Sequence, residues 1–131
     1  DLGNRISIPV GHERELHIRW KMAESQTLRV IVISFLDELE NKPEIVERIW
    51  AFMRGQPMSL LLREEYIDWH GSYHCEYGHA RRLPKGESFV TCLKVKGKQK
   101  GNYVLNVEIQ VSEAPNPFTA NLMVECHEPG S

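Results

Sequence analysis

The segment Glu15-Leu16-His17-Ile18-Arg19-Trp20-Lys21-Met22 alternates polar and apolar residues without a break. Successive side chains of a strand point to opposite faces, so this run buries one face and wets the other only as a β-strand. The pattern returns in Tyr103, Leu105, Val107, Ile109 and Val111, with Val104 the single break, and again in Phe118, Ala120, Leu122, Val124 and Cys126. Residues 27–36 differ. Leu28, Val30, Ile31, Val32, Ile33, Phe35 and Leu36 are apolar on both faces, which predicts a central strand covered on both sides. Further strands are expected over 5–10, 59–69, 72–77 and 88–95, for about eight in all.

One segment has helical spacing instead. Asn41 suits an N-cap, Pro43 and Glu44 suit a first turn, and Ile45, Val46, Ile49, Trp50, Phe52 and Met53 follow at helical intervals up to Gly55 and Pro57. An amphipathic helix over about 42–54 is therefore expected. One helix among eight strands has to cap an end or a face of a sheet structure. The expected fold is mainly β: an antiparallel β-sandwich or partly open barrel of about eight strands with one inserted amphipathic helix. The 131 residues suit a single globular domain over 1–131, and the opening on Asp1 reads as a piece excised from a longer protein.

The longest uncharged apolar run, residues 30–36, is far too short to span a bilayer as a helix, so no transmembrane segment is expected. Three cysteines (Cys75, Cys92, Cys126), no CxxC and no Asn-x-Ser/Thr sequon point to a reducing, intracellular setting, expected to be cytoplasmic.

Residues 69–79, Trp-His-Gly-Ser-Tyr-His-Cys-Glu-Tyr-Gly-His, hold three of the six histidines and one of the three cysteines. A zinc site needs three or four ligands converging on one point. On a continuous strand His70 and His74 stand about 13 Å apart, too far for one ion. A two-residue turn at His70-Gly71 would instead pair Trp69 with Ser72 and Ile67 with His74, leaving His70 at the tip. In neither geometry do the local histidines converge without help from His12, Cys92 or Cys126-His127. The expected structure is a half-buried strand with Tyr73, Cys75 and Tyr77 inward and His74 and Glu76 outward. Burial on the apolar face would raise the Cys75 thiol pKa and hide the thiolate a nucleophile needs.

Charge is unevenly spread. Residues 79–100 carry a net charge of +6, and the rest of the chain carries -8. Arg81, Arg82, Lys85, Lys94, Lys96, Lys98 and Lys100 form the candidate basic surface, and the last four, with Gly97 and Gly101, read as a hairpin tip. Only Phe89 is interleaved among them as an aromatic, which works against base stacking. The three aspartates, Asp1, Asp37 and Asp68, are too scattered for a calcium loop, and no phosphate-cradling glycine loop occurs, so no cofactor is expected. Asn116-Pro117-Phe118 resembles the tripeptide that EH domains bind. The local chemistry of Pro115-Asn116-Pro117 also reads as a turn, with Phe118 opening the last strand as a core residue.

Three functional expectations follow. The first is a non-enzymatic protein–protein interaction or assembly domain of a larger intracellular protein, binding another polypeptide or itself through a sheet edge or the basic hairpin. The second is a metal-binding or enzymatic domain centred on His70, His74, Cys75 and His79. The third is a module for nucleic acid or anionic lipid using residues 94–100.

Overall fold

A computed structural model describes residues 5–35, 46–53, 55–57, 62–67 and 73–130, with side chains over 5–34, 49–53, 55–57 and 81–130. Ten strands lie within these residues: β1 Arg5–Pro9, β2 Glu13–Lys21, β3 Gln26–Phe35, β4 Val46–Met53, β5 Gln56–Pro57, β6 Leu62–Ile67, β7 Tyr73–Leu83, β8 Ser88–Lys96, β9 Gly101–Val111 and β10 Phe118–His127. They form a six-stranded sheet in the order β1-β10-β9-β3-β7-β6 and a four-stranded sheet in the order β2-β8-β4-β5. β1 runs parallel to β10, and the other neighbours are antiparallel. The architecture is that of a two-sheet sandwich, with no closed barrel.

The inward faces meet in one apolar layer. Leu105, Val107 and Ile109 of β9 and Leu93 and Val95 of β8 are fully buried, joined by Leu28, Ile31 and Ile33 of β3 and by Leu16, Ile18 and Trp20 of β2. Along β2, β9 and most of β10 the buried residues are the apolar members of alternating pairs, so the period-two pattern and the burial agree there. Burying a Leu or Ile side chain here contributes roughly 1.5–3 kcal/mol. Within the layer Trp20 Nε1–H donates to Thr91 Oγ1 at 3.0 Å, and Thr91 has no exposed surface.

The helix expected over 42–54 is not present: residues 46–53 are β4, paired along β8. Residues 42–45 and 54 lie outside the described residues. Between Val46 and Arg48 the register slips, so Glu47 is an extra residue with no partner of its own on β8. Beyond the slip, Ile49 and Met53 pack against the core with buried Ala51 between them, while Trp50 and Phe52 take the opposite face. Trp50 is thus half-buried on the outer face rather than a core anchor. Apolar residues on both faces of a bulged strand imitate helical spacing. Gly55, at φ +73°, turns β4 into β5.

β3 is an interior strand, as expected, flanked by β9 and β7. Its bulge at Arg29 changes the inward parity from Leu28 to Ile31 and Ile33, and Val32 on the outer face is also buried. Phe118 departs from expectation: it is 38% exposed and does not open β10 as a core residue.

Replacing Thr91 by Val keeps its shape and leaves the Trp20 indole N–H without its partner in an apolar layer. The substitution is expected to lower unfolding free energy by about 1–3 kcal/mol, read as a reduced urea midpoint with an unchanged slope.

Candidate functional site

β2 is an edge. Its ladder with β8 runs without a slip from Glu13↔Lys96 to Lys21↔Ser88. At one end the His12 carbonyl accepts from Gly97 N–H at 3.0 Å, and at the other the Met22 carbonyl accepts from Gly86 N–H at 2.8 Å. Hydrogen bonding alternates along an antiparallel strand, so the even residues spend their backbone groups on β8. The odd residues, Glu13, Glu15, His17, Arg19 and Lys21, therefore aim N–H and C=O at the other side, where no described strand pairs with β2. The edge carries no proline and no bulge, and its inward positions Leu16, Ile18 and Trp20 are apolar. Proline, bulges and inward-pointing charges are the devices by which sheet edges are usually kept from pairing; β2 has neither of the first two, and its one charge of inward parity, Arg14, is exposed near the start of the strand.

The outer face beside this edge is mixed in character. A groove of about 520 Å³ is lined by His17 and Arg19 of β2, Phe52 and Gly55, and Glu87, Ser88 and Val90. Next to it Cys92, the register partner of both His17 and Trp50, is fully covered. Burial, with the Glu15 carboxylate second, pushes the Cys92 thiol up, and burial alone pushes Cys126 up. Both favour the protonated thiol over a thiolate.

The basic residues are divided by the fold. Residues 97–100 are not a hairpin tip, because β8 and β9 belong to different sheets and the segment crosses between them. Gly97 is needed for close approach: a Cβ there would stand 3.0 Å from the Pro9 carbonyl oxygen, and its own carbonyl accepts from Gly11 N–H at 2.7 Å. Lys98 and Lys100 are exposed on this crossover, Lys96 is half-buried, and Lys94 lies 3.0 Å from Glu13. Arg81, Arg82 and Lys85 lie at the opposite end of β8, about 26 Å away. There Arg82 bonds Thr27 and Glu113, and Lys85 is 3.9 Å from Glu24. Seven basic residues close in sequence become two groups, several of them facing carboxylates from elsewhere in the chain.

The Glu113 carboxylate is held below the usual range chiefly by the Thr27 hydroxyl, which donates at 2.7 Å, then by the Thr27 N–H and Arg82. This clasp ties the β9–β10 loop to the start of β3 and the end of β7.

The described part of the histidine stretch, residues 73–79, lies on β7, which pairs antiparallel with β6. Ile67 pairs with Tyr73 and Tyr66 with His74, a register one residue from the turn geometry inferred from sequence. His70 lies outside the described residues. Tyr73 and Cys75 pair with Ile33 and Ile31, the β3 residues on the core face, and His74 pairs with Val32. Residues 77–80, His79 among them, bulge out where β3 spends only Arg29. Among the described residues no three His, Cys, Asp or Glu side chains converge as a metal site. No helix among them is long and apolar enough to cross a membrane.

Comparison with protein families and with curated proteins finds no match. Among solved structures the chain is similar to part of a family 123 glycoside hydrolase from Clostridium perfringens, studied for glycolipid glycan hydrolysis. The identity is 12% and the TM-score 0.56, over 95% of this chain and 23% of that one. It is also matched to PapD-like domain 7 (ASH / PapD-like) of human CEP192, at 12% identity and TM-score 0.41 over 98% of this chain and 82% of that one. A third is the N-terminal domain of PorA, at 10% and 0.38 over 96% and 89%. The chain spans about a quarter of the hydrolase's length, and at 12% identity that likeness is one of β-fold alone.

Two outcomes test the electrostatics. In native protein Cys92 and Cys126 are expected to resist alkylation at neutral pH and to react only on unfolding, as peptide mass spectrometry reads. A carboxylate whose folded pKa is depressed adds stability above its unfolded pKa and loses it as pH falls through the folded value. Melting temperature should therefore drop with acidification below the ordinary carboxylate range, and Glu113→Gln should flatten that dependence.

Proposed function

We propose that this chain is a non-enzymatic protein–protein interaction or assembly domain of a larger intracellular protein, and that it binds through the β2 edge. One observation carries the reading. β2 is nine residues long, regular in register, apolar and buried on its inward side from Leu16 to Trp20, and paired on one side only among the described residues. An extended polypeptide added there gains main-chain hydrogen bonds from the odd residues and sets alternate side chains beside His17 and Arg19, at the rim of the groove. The mixed charges of the edge supply selectivity, since rim charges steer partners and reject like-charged ones.

The edge can be closed without touching the core. His17 directs its N–H away from β8, so His17→Pro removes a donor from the centre of the open side and no ladder hydrogen bond. The variant is expected to keep the wild-type circular dichroism spectrum and to lose association, measured by affinity capture at low salt and by sedimentation. Wild-type protein that stays monomeric and captures nothing, or His17→Pro protein that captures all that the wild type does, would sink the proposal.

A further inference from the structure

The charges along the open side of β2 are antisymmetric about its midpoint. The odd residues read Glu13, Glu15, His17, Arg19, Lys21, so this set is acidic in one half and basic in the other, with His17 at the centre, while exposed Arg14 belongs to the opposite face. All five carry backbone groups that face the open edge, and the side chains of Glu15 and His17 are 61% and 58% exposed. From this we infer that β2 pairs with β2 of a second copy of the same chain, antiparallel and across a two-fold axis through His17. The inference rests on the reading of β2 as a binding edge and names its partner.

The register follows from two independent constraints. Only odd residues direct backbone groups toward this side, so an odd residue must oppose an odd residue, each such pair exchanging two hydrogen bonds. Charge and the length of overlap together then select among the registers that remain. Centring on His17 sets Glu15 opposite Arg19 of the second copy and Glu13 opposite Lys21, each twice by symmetry, and overlaps the strands over their full length. Glu13 already lies 3.0 Å from Lys94, so the Glu15–Arg19 pairs are the ones that decide the register. A slide in one direction that brings Glu15 onto Glu15, or in the other that brings Arg19 onto Arg19, opposes like charges, which is unfavourable in cross-strand pairs. On the inward face the same register sets Leu16 opposite Ile18 of the second copy, extending the apolar layer. The two four-stranded sheets become one continuous sheet, and the interface is isologous, the commonest arrangement for homodimers.

Charge exchange tests both the pairing and its register. Sedimentation of the full chain over a concentration series is expected to show a reversible wild-type dimer that weakens with added salt. Glu15→Arg alone and Arg19→Glu alone each set like charges opposite each other, and each should weaken self-association by about tenfold or more. Mixing the two single variants restores complementary pairs and should restore a dimer containing one copy of each, while the double variant should dimerise on its own. That restoration also shows that the single variants are folded. A wild-type chain that remains monomeric yet captures a different polypeptide, lost in His17→Pro, overturns self-pairing and leaves the edge reading standing. A dimer unchanged by both single reversals overturns this register, and one unchanged by His17→Pro as well overturns both readings.

Discussion

The contact between β8 and β9 across the sandwich is the constraint on which the other strands depend. The two are consecutive in the chain, yet they lie in opposite sheets, joined by the crossover at 97–100. Phe89, Leu93 and Val95 from one side and Leu105, Val107 and Ile109 from the other are all 0–1% exposed. Their burial requires the crossover to hug the end of the sandwich, which is why Gly97 lies against Pro9 and bonds to Gly11 and His12. With β8 fixed, its two flanks are taken by β2 and β4, and β4 goes on to β5. Nothing in the described residues flanks β2 in turn. The open edge is a consequence of how the core closes.

Legibility in the sequence tracks the regularity of each strand. β2, β9 and the latter half of β10 hold one parity throughout, and their alternation marks both strand and inward face; residues 88–95 are legible as a strand only. β3 and β4 contain register slips, at Arg29 and Glu47, and each slip exchanges the inward and outward sets. Beyond each slip apolar residues also stand on the outer face, Val32 in β3 and Trp50 and Phe52 in β4, so they fall at both even and odd positions. In β3 that suggested a strand buried on both faces, which is right in kind. In β4, with Asn41 and Pro43 nearby, it suggested a helix. Single-residue bulges leave no local signature distinguishing them from a change of period, so the ambiguity belongs to the chain's own chemistry.

Long-range arrangement was less legible than local structure. Gly97 and Gly101 among lysines look like the turn of a hairpin, and only the pairing of β8 with β2 and β4 shows them to be a crossover. The basic run likewise loses its unity because strands keep sequence neighbours apart along their length, and because Glu13, Glu24 and Glu113 arrive from elsewhere. The alternation in β2 was the clearest signal in the chain. That its polar residues stand on an edge could not be read from it, since a half-buried interior strand has the same pattern.

Edge position changes what those polar residues mean. A sheet edge lined with lysines repels every copy of itself and stays solitary in solution. An edge whose charge is acidic at one end and basic at the other repels a parallel copy, because Glu then faces Glu and Lys faces Lys, and attracts an antiparallel one. Nonspecific edge pairing propagates, since each added strand presents a new open edge. Pairing across a two-fold through His17 consumes the open side of β2 on both copies and leaves none for a third. The antisymmetry in β2 therefore limits association as well as favouring it: the same five residues that admit one partner in one orientation close the edge once that partner is in place.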